Sequence, residues 1–176
     1  MKLSDKTESF TGPDAYYEAA YLVLAESERF SVAAKTPTLL LPQEQESPGR
    51  KKYFDLVNQR IRGGLSTTYL FSEPETLQKL SEIKGEKLAE TLAAWREFVS
   101  LKTLKLGCLL DSNFRSMVFG DKHLALSKKH PVTGKSDGAT IYPLSESKEF
   151  LAEFKALEKQ AGPVDLAYLY QLRKHL

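Results

Sequence analysis

LKLGCLLDSNFRSMVFGDKHLALSKKHPVTGKSDGATIYPL, residues 104–144, holds four short apolar runs, at 104–110, 114–119, 123–127 and 138–144. Turn formers separate them: Asp111-Ser112-Asn113, Gly120-Asp121-Lys122, and the longer segment 131–138. Apolar runs of this length bounded by Gly, Pro, Asp and Asn predict consecutive β-strands with tight connections. Upstream, strand-like runs alternate with helical ones. Residues 29–35 (RFSVAAK) and 65–71 (LSTTYLF) read as strands, the second rich in β-branched and aromatic residues. A helix begins at Gly12-Pro13-Asp14 and carries Tyr16, Ala19, Ala20, Leu22, Val23 and Ala25 at helical spacing. A second, residues 50–62, places Tyr53, Phe54, Val57 and Ile61 on one face and ends at Gly63-Gly64.

The remaining segments complete the pattern. Pro37 pushes Thr36 into an extended conformation, and Leu39-Leu40-Leu41 either continue the strand at an edge or pack in a loop. Ser72 with Glu75 forms a capping box for a third helix, which runs to about residue 100 as one helix or as two broken at Lys84-Gly85. Ser145 or Ser147 caps a helix over 148–160 with Phe150, Leu151, Phe154 and Leu157 as its apolar stripe. Gly162-Pro163 breaks it, and a last helix follows. The order α, β, α, β, α, four strands, α, α predicts an α/β fold. Its mixed β-sheet lies between helices, parallel where strands alternate with helices and antiparallel where hairpins follow. The expected boundaries are a flexible N-terminus at 1–12, an α/β domain at 13–161 and a C-terminal helix at 162–176.

A chain of 176 residues, 41% hydrophobic and 27% charged, has the composition of one soluble domain with a sizeable core. The net charge of +2 gives no bulk steering of an anionic partner, so nucleic acid is an unexpected partner and any anion site must be local. The single cysteine, Cys108, sits in an apolar run; it excludes an intrachain disulfide and fits a reducing, cytoplasmic setting. The N-terminal residues lack the apolar core of a secretory signal, and no window is long and apolar enough to span a membrane.

Four phrases together resemble one half of a phospholipase-D-like domain: YYEAAYLVLAESERFSVAAKTP, RKKYFDLVNQRIRGGLSTTYLF, FRSMVFGDKHLAL and KEFLAEFKALEK. The layout, over roughly residues 14–160, is similar to the degenerate sensor versions attached to prokaryotic transcription regulators of the TrmB type. The resemblance implies a phospholipase-D-like half with a C-terminal helical extension. Active members carry H-x-K-x4-D, in which a histidine attacks phosphorus, a lysine neutralises phosphate oxygens and an acid orients the imidazole. With the acid aligned on Asp121, Phe114 stands at the histidine position and Ser116 at the lysine position. A phenyl ring is no nucleophile, so no catalytic residue is carried over, and Asp121 reads as a turn residue.

Other polar groups remain as candidates. Lys122, His123, Lys128, Lys129, His130 and Lys135 form the dense polar group of the chain, able to hold a phosphate or carboxylate. An alternative reading makes His123 or His130, with Lys128 or Lys135, a rearranged phosphodiesterase site. Thr36, Thr38, Thr67 and Thr68 belong to the two upstream strands, and ligands of open α/β sheets bind beyond the carboxyl ends of strands. The predicted ligand-binding set is therefore Lys35, Thr36, Thr38, Thr67, Tyr69, Lys122 and His123. No metal or cofactor is implied: two histidines seven apart have no cysteine near them, and no glycine-rich nucleotide loop or G-x-S-x-G elbow occurs. Arg50, Lys51 and Lys52 open the second helix against its dipole, which points to an anionic group nearby, Glu44 and Glu46 or a ligand. With Arg60 and Arg62 they also compose a nucleic-acid reading. The last helix is apolar on more than one face, so Tyr168, Tyr170 and Leu172 are candidate anchors of a homodimer. The functional expectation is a non-catalytic sensor or interaction module that binds a small, anionic ligand or a partner protein.

Overall fold

The computed structural model of the protein describes residues 2–41, 47–129 and 131–176. Its elements are β1 (Glu8–Thr11), α1 (Ala15–Ala25), β2 (Arg29–Ala34), α2 (Pro48–Arg62), β3 (Ser66–Ser72), α3 (Glu73–Glu82) and α4 (Glu86–Val99). Then come β4 (Leu104–Leu109), β5 (Met117–Phe119), β6 (His123–Lys129), β7 (Ser136–Pro143), α5 (Lys148–Gln160), β8 (Gly162–Pro163) and α6 (Leu166–His175). The described strands form one sheet in the order β1-β7-β6-β5-β2-β3-β4-β8. β2, β3 and β4 run parallel, while β5, β6, β7, β1 and β8 join antiparallel. The mixed sheet follows from the segment order: helical crossovers return the chain parallel, and short turns return it antiparallel.

One connection differs from its sequence reading. Asp111-Ser112-Asn113 has the composition of a hairpin turn, yet β4 and β5 are not neighbours. The chain leaves β4, passes the ends of β3 and β2, and sets β5 against the far side of β2, with Val118 opposite Val32. The segment 110–116 thus lies along the carboxyl rim of the parallel strands. The other two connections are hairpins as read, and the third helical segment is indeed two helices parted at Lys84-Gly85.

Side chains alternate across the sheet with the period of two that extended backbone imposes. Tyr69 and Phe71 of β3 point to one face with Val23, Val57, Ile61 and Trp95. Leu70 points to the other with Met117, Phe119, Leu124, Leu126 and Phe154. The first face carries α1, α2, α4 and α6; α5 covers the second, its Phe154 ring meeting Phe119 edge-on at 5.4 Å. Each large apolar side chain so buried contributes about 1.5–3 kcal/mol. Gly107 of β4 marks where α5 ends over the sheet: a Cβ there would stand 2.8 Å from Leu70 Cδ2 and 2.9 Å from Ala161 Cβ.

The chain ends are tied in more than their composition foretells. Residues 8–11, read as part of a polar, flexible lead, form edge strand β1 on β7, with Phe10 opposite Ala139. Gly162-Pro163, read as a helix breaker, also pairs with β4 as β8, and α6 then returns over α4. Leu39 and Leu40 are buried in a 3-10 turn, not in a strand extension. Ser72 lacks the side-chain bond of a capping box; its hydroxyl meets that of Ser112 at 2.8 Å. Ser147 stands at the N-cap of α5 as read, but its hydroxyl donates back to Pro143 O at 2.7 Å and not to the helix. The anion at the start of α2 is Asp14: Ser47 Oγ donates to Oδ1 at 2.5 Å and the Gly49 amide to Oδ2 at 3.2 Å. Glu44 and Glu46, expected there, lie outside the described residues. Among the described residues no helix is long and apolar enough to cross a membrane.

Candidate ligand-binding crevice

Lys35 follows directly on β2, where the parallel strands deliver their carboxyl ends and the 110–116 crossover passes. Its carbonyl accepts the Ser72 amide at 3.1 Å, which fixes the backbone. Its ammonium sits 4.7 Å from the centre of the buried Phe114 ring. Burial lowers the Lys35 pKa from 10.5, and the Lys129 charge lowers it further; Glu75 and Asp111 act against both. A lysine held partly out of water beside a second cation is poised to take a counter-anion.

Two cavities meet at this lysine. One, of about 470 Å3, lies toward α5 and is lined by Phe114, Arg115, Lys129 and Glu153 along with Lys35. Lys129 ends β6 at a bulge that shifts the register after Lys128. Arg115 rests over the Phe150 ring at 5.5 Å. The other, of about 200 Å3, lies toward α1 and α2. Tyr16, Tyr53 and Tyr69 form its aromatic side, and Thr36, Ser116 and Ser127 supply hydroxyls. Burial raises the phenol pKa values of Tyr16 and Tyr53 well above 10.0, so both stay neutral donors. The aromatic wall arises because α1 and α2 each start at this rim and each carries an aromatic doublet in its early turns, Tyr16-Tyr17 and Tyr53-Phe54. The four rings pack at centroid distances of 5.0–6.0 Å.

Of the residues predicted from sequence, Lys35, Thr36 and Tyr69 line this crevice. Thr67 does not: it starts β3 at the opposite rim, where its hydroxyl donates to Leu65 O at 3.0 Å. Lys122 and His123 are also at that far rim, in and just after the β5–β6 turn. Lys128 and Lys129 close the same strand at the crevice end, about 17 and 20 Å from His123 at the rise of an extended chain. The dense polar group of the sequence is thus split, with His123 and Lys128 at opposite ends of one strand and unable to act on one ligand atom together. His123 is 3% exposed, its Nδ1 on Glu26 Oε1 and its Nε2 3.0 Å from Ser4 O, so neither ring nitrogen is free for chemistry. His130 and the side chain of Thr38 lie outside the described residues. Phe114 stands in the crevice and Ser116 in the adjoining cavity, but Asp121 is across the sheet, its carboxylate accepting the Glu28 amide at 2.6 Å. Among the described residues no three His, Cys, Asp or Glu side chains converge as metal ligands would.

Arg115 and the aromatic doublets are absent from the site predicted by sequence, and Ser116 enters only as the residue at the motif's lysine position. The doublets left a signal: adjacent aromatics in the opening turns of two helices, each leading into a parallel strand, fall at the carboxyl rim. Arg115 left none, because only the crossover brings it there.

Among the described residues, eight strands of mixed sense between unequal helical layers, with a crevice at the strand ends, give this chain an α/β fold of the layout expected for a phospholipase-D-like half. Solved structures agree. TrmBL2, described as an archaeal chromatin protein with a novel mode of DNA binding, superposes with a TM-score of 0.60 at 13% identity, over 93% of this chain and 56% of its own. The phosphatidylserine synthase of Haemophilus influenzae Rd KW20 superposes with a TM-score of 0.51 at 10% identity, over 93% of this chain and 41% of its own. The chain thus spans about half the length of these structures, and the likeness is one of fold. No family model and no curated protein matches the sequence.

Proposed function

We propose that this chain is a non-catalytic sensor or interaction module that takes a small anionic ligand at Lys35. The observation that carries the reading is the convergence of Lys35, Lys129 and Arg115 on one cavity at the strand ends, beside a neutral, hydroxyl-rich one. Cations there hold a phosphate or carboxylate; phenols and serines take the polar body of the ligand. Phe114 supports a binding role over a hydrolytic one, since it fills the place of a nucleophile with a ring that only packs. A regulatory role in the cytoplasm belongs to this proposal and rests on the sensor-like layout and the single buried thiol.

Thermal shift against inorganic phosphate, sulfate, citrate and small phosphate monoesters tests it. A ligand at a hundred times its Kd adds about 2.7 kcal/mol of stability, well within detection. The shift should vanish in Lys35→Met and persist in Lys122→Met, whose side chain is at the opposite rim. A shift indifferent to Lys35→Met, or none from any ligand, removes the proposal. Anion affinity should also fall as pH rises through the lowered Lys35 pKa, because the neutral amine no longer attracts the anion.

The DNA binding described for TrmBL2 makes duplex DNA a second reading, although near-neutral charge argues against it. On α2, Lys51 pairs with Asp55, Arg62 with Glu97, and Lys52 lies 4.3 Å over the Tyr21 ring, so these cations already have partners within the chain. Titration with duplex DNA at rising salt separates the readings: phosphate contacts weaken steeply with salt.

A further inference from the structure

Away from the crevice, α4 and α6 leave a groove between them, a cavity of about 410 Å3. Its two walls have the same grammar. Ala89, Leu92, Ala93 and Arg96 of α4 are spaced i, i+3, i+4, i+7, and so are Leu166, Leu169, Tyr170 and Arg173 of α6. Each helix thus contributes an apolar stripe that ends in an arginine one turn on. Leu166 is 57% exposed and Tyr170 62% exposed, among the most exposed large apolar side chains described. Among the described residues neither arginine makes an ion pair, and Lys174 adds a third cation 4.5 Å over the Tyr170 ring. The alanines on α4 leave room for a further backbone to approach closely.

This corrects the dimer anchors expected from sequence. Leu172 is 4% exposed and packs within its own chain, and Tyr168 is half-buried against the same core. Only Tyr170 of that trio faces solvent. A two-fold contact through this face would also set Arg96, Arg173 and Lys174 against their own copies, because an isologous interface meets itself.

We infer that the α4–α6 groove docks an acidic amphipathic helix of a partner protein. Its apolar residues at i, i+3 or i+4, and i+7 fill the stripe between Leu92 and Leu166, and its flanking carboxylates bind the Arg96 and Arg173 guanidiniums. Charge complementarity selects this occupant: an apolar floor alone admits any amphipathic helix, whereas arginines at the ends of both walls reject a basic one. The inference is independent of the Lys35 site, which opens at the strand ends and shares no residue with the groove.

The test uses the full chain and a fluorescein-labelled helical peptide with leucines at the anchor spacing and glutamates on the flanks. Its twin carries lysine at every glutamate. Fluorescence anisotropy should show saturable binding of the acidic peptide, weakened by salt, and binding of the lysine twin at least roughly tenfold weaker. The exposed substitution Ala93→Arg should block the groove while the thermal melt stays unchanged. In the Arg96→Glu/Arg173→Glu double variant the preference should invert, the lysine twin now binding better. That inversion cannot come from a misfolded protein. Equal binding of the two peptides, or no binding of the acidic one up to about 1 mM, the edge of useful affinity, overturns the inference. So does light scattering that finds a concentration-dependent dimer abolished by Tyr170→Glu, which would make this face a contact between copies.

Discussion

Trp95 is fully buried in α4, its ring edge-on to Phe71 at a centroid distance of 5.6 Å. Its indole Nε1–H donates to Leu40 O at 2.7 Å, the bond that ties the 3-10 turn after β2 to the helical layer. Trp95→Phe keeps an aromatic ring but strands that carbonyl in the core, so a loss of about 1–3 kcal/mol is expected from urea unfolding. Trp95→Ala should cost more, about 3–5 kcal/mol, because a cavity adds to the lost bond. Gly120 makes the opposite kind of demand. A Cβ there would stand 2.0 Å from Ser27 Oγ and 2.9 Å from Val23 Cγ1. Ser27 Oγ cannot simply turn away, since it donates to Val23 O at 2.6 Å and accepts the Asp121 amide at 3.2 Å. Gly120→Ala should destabilise by about 1–3 kcal/mol through overpacking. A paired Ser27→Ala should recover part of that loss, and equal stability of Gly120→Ala and the parent would contradict this contact.

At the scale of elements, β1 shows how an edge strand is held by a side chain outside it. His123 opens β6, reaches Glu26 with one ring nitrogen and Ser4 O with the other, and so pins the lead into β1. His123→Ala removes both bonds, and about 1–3 kcal/mol of local stability should go with them. Hydrogen exchange in residues 8–11 should then quicken while β3, in the middle of the sheet, stays protected; uniform exchange in both would mean that β1 does not open separately. The same element explains what the sequence could disclose. LSTTYLF declares β3 by β-branched and aromatic content, and Gly120-Asp121-Lys122 declares its hairpin by turn chemistry. ESFT and Gly-Pro carry no such mark, because β1 and β8 exist only through the partners they find across the fold. Nor could local pattern tell the crossover after β4 from a third hairpin, as both use small polar residues. The site failed the same way. Lys122, His123, Lys128 and Lys129 are close in the chain, yet a strand stands between the first pair and the second, so nearness in sequence becomes distance in space.

At the scale of the whole molecule the two rims of the sheet divide the work. The rim at Gly120 and Ser27 is closed by short bonds between α1 and the hairpin. The rim at Lys35 stays open, and burial there and just inside it leaves a titration signature. The phenols of Tyr16 and Tyr53 are raised well above 10.0, first by burial and then by neighbouring tyrosines; burial also raises the Cys108 thiol above 9.0, with the Glu73 carboxylate adding to it. Burial raises the Tyr168 phenol as well. Groups raised on folding give stability that is whole below their ordinary values and is lost as pH climbs, since the unfolded chain sheds protons that the fold retains. Lys35 has the opposite sign. Its lowered pKa makes a cost that is present while the folded-state ammonium is charged, is relieved as pH rises through that lowered value, and is gone by 10.5. The raised acids outnumber it. The urea midpoint should therefore hold steady up to about pH 9.0 and decline beyond it, more steeply past 10.0. Tyr53→Phe should lessen the decline, because it deletes one proton released on unfolding, and Lys35→Met should deepen it by removing a group whose titration opposes it. Denaturant titrations of the three proteins across this range decide the matter. A midpoint that rises above pH 10.0 in the parent would put Lys35, and not the buried phenols, in charge of the alkaline limb.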